Sequence, residues 1–147
     1  RSGKCFCVGR FNLSGVPFVA SPGIVVDTCI VIDFLRSKDK HATKLWSLME
    51  SYSCVISSIT LFEPAAGAKS DAHRSDIAKL RRWLEVVPFD DQCAQKAAGV
   101  YQVLKPRNEL PEFRDLFIAC SALAHSFPLA TENLKHFWNI PGIELIQ

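Results

Sequence analysis

The sequence has no C-x2-C or C-x4-C pair and no H-x3–5-H pair among its six cysteines and four histidines. That excludes the usual structural zinc spacings. It has no apolar run long enough to span a membrane as a helix: the most apolar stretch, residues 16–35, is broken by Pro17, Pro22, Asp27 and Asp33. It also has almost no charge excess. Seventeen basic and fifteen acidic side chains leave +2, too even a balance for bulk charge alone to argue nucleic-acid binding. There is no internal repeat and no low-complexity tract. What is present is 48% apolar and 22% charged residues in 147, a composition that buries one normal core and excludes global disorder.

Cysteine usage points to a reducing setting. Cys54 sits in an apolar run, and Cys29, Cys93 and Cys120 fall within helical patterns, as small core residues do rather than a secreted disulfide framework. A cytoplasmic location is the expectation. The small positive excess belongs to residues 1–23, which hold Arg1, Lys4 and Arg10 and no acid. That segment shows neither helical nor strand periodicity. It is expected to be a leader or extension outside the fold, leaving 24–147 as a single domain.

From Ile24 onward short apolar runs alternate with helical patterns. Strands are expected at 24–26, 54–56, 86–87, 129–130 and 143–146, and helices at 29–36, 41–51, from Ile59, 71–84, from Asp90 or Asp91 to about Leu104, and over 113–124. In the last helix Phe113, Leu116, Phe117, Cys120, Leu123 and Ala124 form the clearest apolar stripe in the chain. Strands of consecutive apolar residues separated by helices are what a sheet covered on both faces requires. The fold class is therefore α/β, with a central, mostly parallel sheet of about five strands flanked by helices. Residues 105–112, with Pro106 and Pro111, are expected to be extended and to carry the chain back up to the carboxyl edge of the sheet.

Ligands in such sheets bind at the carboxyl ends of the strands. Asp27 ends the first strand, Glu63 lies one helical turn beyond the second, and Asp115 opens the helix leading to the fourth. Asn133 lies just past that fourth strand. Three carboxylates from distant positions thus converge. Massed carboxylates raise one another's pKa unless a cation compensates them, and an all-oxygen set suits Mg²⁺ or Mn²⁺. Pro64, directly after Glu63, biases that residue away from helical geometry. His125 and His136 read as ordinary surface or packing histidines, Trp83 and Trp138 as core or interface residues, and the basic residues of 69–82 as a solvated helix face.

Three segments, in order, resemble the PIN-domain ribonucleases, specifically VapC-like toxins of type II toxin–antitoxin pairs. They are Val25-Val26-Asp27-Thr28-Cys29-Ile30-Val31-Ile32-Asp33-Phe34-Leu35-Arg36, then Ser57-Ser58-Ile59-Thr60-Leu61-Phe62-Glu63, then Arg114-Asp115-Leu116-Phe117-Ile118-Ala119-Cys120-Ser121-Ala122-Leu123-Ala124. The run Leu129-Ala130-Thr131-Glu132-Asn133-Leu134-Lys135-His136-Phe137 and the segment Ile140-Pro141-Gly142-Ile143 continue the likeness. Cys29 stands where members commonly carry Asn or Ser. The resemblance implies a single PIN-like domain and a Mg²⁺- or Mn²⁺-dependent endoribonuclease, with Asp27, Glu63 and Asp115 as catalytic and metal-holding acids. Thr131 would support them, and Asn133 would stand where many relatives carry a fourth acid. Glu132, Glu112 and Asp33 are the alternates. An RNA substrate, a small VapB-like antitoxin, a homodimer and no membrane complete what it implies. Two other readings compete. One is a catalytically silent PIN scaffold that acts as a binding partner. The other is a receiver-like signalling module, which would need an Asp ending the third strand, where Val86-Val87 is followed instead by Pro88-Phe89.

Overall fold

The computed structural model describes residues 21–147; the expected leader, apart from its last three residues, lies outside the described residues. Five strands form one sheet in the order β3-β2-β1-β4-β5, every pairing parallel. They are β1 (Gly23–Val26), β2 (Ser53–Ser57), β3 (Glu85–Val87), β4 (Leu129–Ala130) and β5 (Leu145–Ile146). The helices are α1 (Thr28–Arg36), α2 (Lys44–Ser51), α3 (Ser58–Ala66), α4 (Asp71–Trp83), α5 (Asp91–Leu104) and α6 (Phe113–Ala124).

The strands are apolar at consecutive positions because each face has its own core. Val25, Val55, Val87 and Leu129 pack under α5 and α6. Ile24, Val26, Cys54, Ile56 and Ala130 point the other way, into a second cluster with Ile30, Val31, Phe34, Leu45, Leu48 and Leu80 of α1, α2 and α4, and Leu84 just after α4. Alternation along a strand sends neighbouring side chains to opposite faces. The chain leaves β1 toward β2 on one side and returns as β4 on the other, which opens a crevice at the carboxyl end of β1.

Three expectations are corrected here. The sheet begins before Ile24: Gly23 pairs with Ser53, and the Pro22 carbonyl accepts the Ser53 N–H at 3.0 Å. A side chain at Gly23 would meet the ring of Phe127, which would have to shift.

The segment 105–112 is not an extended climb. Lys105–Arg107 form a 3-10 turn, and Asn108 takes the left-handed conformation at φ 55°, which asparagine tolerates. A proline early in a helical turn gives up an N–H that has no partner there anyway. The climb is made by α5 itself, which lies antiparallel to α6: Gln92–Lys96 face Leu123–Ser126 across a groove, and Tyr101 stacks on Phe113 at the other end.

Third, Pro64 does not displace Glu63 from a helix. It sits within α3, and the Gly67 N–H closes on the Glu63 carbonyl at 3.0 Å. Only the final turn of α3 lacks its amide donor, so the distortion stays local.

Candidate active site

Asp27 follows β1 directly and caps α1, an Asp at a helix start satisfying an otherwise unpaired amide. It is only 5% exposed. A carboxylate buried this deeply needs donors, and it has three. Oδ1 accepts the Thr28 N–H at 2.7 Å; Oδ2 accepts the Thr131 hydroxyl at 2.7 Å and the Cys29 thiol at 3.2 Å. Burial, and to a lesser degree the charge of Asp27, pushes the Cys29 thiol up to about 11. It is therefore a neutral donor at physiological pH rather than a thiolate.

Asp115 lies in the first turn of α6, at the same edge. The helix is tied to the sheet at Ser121, whose hydroxyl lies 3.1 Å from that of Ser57 at the end of β2. Burial pushes the Asp115 carboxyl above the usual carboxylate range; the His136 charge pulls it down, and the Asp27 charge pushes it up again. The two carboxylates therefore feel one another.

The loop after β4 connects them. Thr131, fully buried, gives its one proton to Asp27 and accepts the Asn133 N–H at 3.0 Å. The Asn133 side-chain nitrogen is 2.9 Å from His136 Nδ1, and that same nitrogen is 2.9 Å from Asp115 Oδ2. The expectation that His136 is an ordinary packing or surface histidine is thus overturned. The available signal was its position three residues after Asn133, in the short turn that follows β4.

Glu63 is half-buried and pairs with Arg114 Nη1 at 3.1 Å; Arg114 also reaches Glu112 at 3.3 Å. Among the described residues no three acids, histidines or cysteines gather into a metal-holding cluster. Asp27 and Asp115 are each bonded to the loop after β4, while Glu63 is turned to Arg114. Of the alternates, Glu112 is exposed and held by Arg114. Asp33 is exposed, about 9 Å along α1 from Asp27 at ~1.5 Å per residue. The Glu132 side chain is exposed; only its backbone N–H turns inward, toward the Cys29 sulfur.

A cleft of about 310 Å³ opens beside Asp115 and His136, bounded by Lys135, Asn139 and residues 108–112. A larger groove, about 690 Å³, lies between α5 and α6 and touches none of these acids. Trp138 is 69% and Trp83 48% exposed, so neither is a core residue. The basic side chains of α4 face solvent, with Arg74 on Asp71 and Lys79 on Asp76. On α1 and α2, Leu35, Trp46 and Met49 are half-buried against the second core.

The PIN domain family model matches residues 24–140. The chain belongs to the PIN-domain family. This PIN domain is 31% identical over 114 residues to "Ribonuclease VapC1" of Methanocaldococcus jannaschii, covering 78% of each chain. It is 32% identical over 125 residues to the "tRNA(fMet)-specific endonuclease VapC" of Salmonella typhimurium, covering 82% of this chain and 94% of that one. Among solved structures, the DNA-bound VapBC of Salmonella typhimurium superposes with a TM-score of 0.72 at 30% identity, over 85% of this chain and 97% of that one. VapBC-1 of nontypeable Haemophilus influenzae gives 0.73 at 25% identity, with 85% and 97% covered. The PIN fold expected from the ordered motifs is borne out. Among the described residues no helix is long and apolar enough to cross a membrane.

Proposed function

We propose that this PIN domain is a Mg²⁺- or Mn²⁺-dependent endoribonuclease, a VapC-like toxin acting in the cytoplasm. Asp27 and Asp115 are its principal metal-holding acids and Glu63 is the third. The observation that carries this reading is that Asp27 and Asp115 both stand at the carboxyl edge of the sheet and are both fastened to one loop after β4.

The residues present suit a hard cation. Asp27 and Asp115 supply oxygen, the ligand type a hard cation prefers. Mg²⁺ is commonly held by one or two carboxylates and keeps waters and substrate phosphate as its other partners. Two carboxylates, one with its pKa already raised, are the electrostatic arrangement that a bound cation relieves. When bound, such a cation supplies water activation and charge balance at the scissile phosphate.

The chain's own side chains do the rest. Thr28, Cys29 and Thr131 fix the Asp27 carboxylate in one orientation. Asn133 offers a neutral amide where a fourth acid would stand. Glu63 joins the site by leaving Arg114, an exchange with little cost because exposed ion pairs are worth about 0–1 kcal/mol. Arg114, once released, and Lys135 on the cleft wall offer positive charge to an RNA phosphate. A small VapB-like antitoxin and a second copy of the chain are the expected partners. The VapBC complexes among the related structures and the exposed aromatic rings of Phe62, Phe113 and Trp138 support that expectation.

The test is cleavage of a fluorescent RNA panel across a Mn²⁺ titration. Wild type cuts only with metal, and Asp27→Asn and Asp115→Asn do not cut. A folded wild type that binds RNA and never cuts it, at any divalent-cation concentration, makes the silent scaffold the correct reading.

A further inference from the structure

We infer that His136 is a positioning residue that sets the Asp115 carboxylate for cation binding, at the far end of a hydrogen-bonded chain running from Asp27 through Thr131 and the Asn133 backbone. This rests on the metal-site reading above.

His136 Nδ1 faces two groups at once, Asp115 Oδ2 and the Asn133 side-chain nitrogen, each at 2.9 Å. A ring nitrogen carries at most one proton, and an amide nitrogen is only a donor. With Nδ1 bare, Asn133 can donate to it, but Nδ1 then meets the carboxylate lone pair to lone pair. With Nδ1 protonated, it donates to Asp115, and Asn133 turns its amide oxygen toward the ring. Hydrogen bonds to an ionised partner are roughly twice as strong as neutral ones. The proton therefore belongs on Nδ1, serving Asp115.

The mounting of the ring fits this task. Leu134–His136 form a 3-10 turn, in which the His136 N–H donates to the Asn133 carbonyl at 3.0 Å. Phe137, the next residue, is fully buried and anchors the backbone. The His136 side chain itself is 40% exposed, against 19% for Asp115. The ring is thus not a core-filling group, and removing it opens no large cavity. Its contacts are with Asp115 and the loop, along with the neighbouring Phe137 ring. Partners that orient a metal-holding group typically cost 10–100-fold in metal affinity or activity when removed.

The experiment is calorimetric titration of the full chain with MnCl₂, for wild type, His136→Ala, His136→Phe and His136→Asn, with thermal melts of each. Wild type binds Mn²⁺. The Ala and Phe variants bind it at least about tenfold more weakly while melting close to wild type. Asn, which places an amide N–H where Nδ1–H stood, restores most of the affinity. In an Asp115→Asn background, His136→Ala has no further effect. Equal Mn²⁺ affinity in wild type and His136→Ala overturns the assignment. So does a weak His136→Asn, which would make the ring a direct ligand. A folded wild type that binds no Mn²⁺ fails on different grounds: it overturns the metal-site reading itself.

Discussion

The Thr131 hydroxyl donates to Asp27 Oδ2 at 2.7 Å, joining residues 104 positions apart. Thr131 is fully buried, and its oxygen also accepts the Asn133 N–H. Thr131→Val keeps the shape but leaves the Asn133 amide unserved and takes one donor from a buried carboxylate. The expected cost is about 1–3 kcal/mol in urea unfolding, with a rise in the metal concentration needed for RNA cleavage. Unchanged stability together with unchanged metal demand would show that Asp27 is held adequately by Thr28 and Cys29.

Asp115→Asn is expected to separate catalysis from stability. The folded state raises the Asp115 carboxyl above its unfolded value, chiefly by burial. The native protein then binds that proton more tightly than the unfolded chain. The stabilisation is complete below the ordinary carboxylate range and is lost as pH rises through the raised value. In EDTA, the melting temperature of wild type minus that of Asp115→Asn should therefore fall as pH rises above the ordinary carboxylate range. A difference that grows with pH would mean that the ionised carboxylate is net stabilising in the fold.

Asn133→Asp should lower the Mn²⁺ concentration for half-maximal cleavage, while Glu132→Gln does little. The Asn133 side chain already reaches the His136 ring that holds Asp115, whereas the Glu132 side chain is exposed. An added carboxylate there favours a hard cation. A sharp rise in metal demand in Glu132→Gln, with Asn133→Asp silent, would transfer the role to Glu132.

Truncation should be sensitive to two residues. A chain starting at Ser21 keeps the Pro22 carbonyl and the Gly23 pairing with Ser53; a chain starting at Ile24 loses both. Each net hydrogen bond is worth about 0.5–1.5 kcal/mol, so the shorter chain should melt measurably lower. Coincident melts would show that the first rung of the sheet contributes nothing.

The fold was legible where one local rule decides it. Ile24, Val25 and Val26 are consecutive apolar residues because both faces of β1 are covered, and Asp27 follows where the strand ends and α1 begins. The stripe on α6 likewise carried Asp115 to that edge. What stayed hidden depends on tertiary approach. A proline pair such as Pro106 and Pro111 suits extension and a 3-10 turn alike, so the direction of α5 was not recoverable from it. The role of His136 arises from an encounter 21 residues back along the chain, for which no periodicity exists. Glu63 read as a free acid because nothing local announces that Arg114, on another helix, lies 3.1 Å away.

The order of the strands has a consequence for biosynthesis. β1 is the first strand of the described fold to be translated, yet one of its edges waits for β4, and its acid waits for Thr131. Until residues 129–136 have left the ribosome, the nascent chain carries both Asp27 and Asp115 without the loop that fastens them. A ribosome-bound or prematurely terminated product therefore presents the acids in no fixed relation. If the chain cuts RNA, this topology withholds that activity from unfinished molecules.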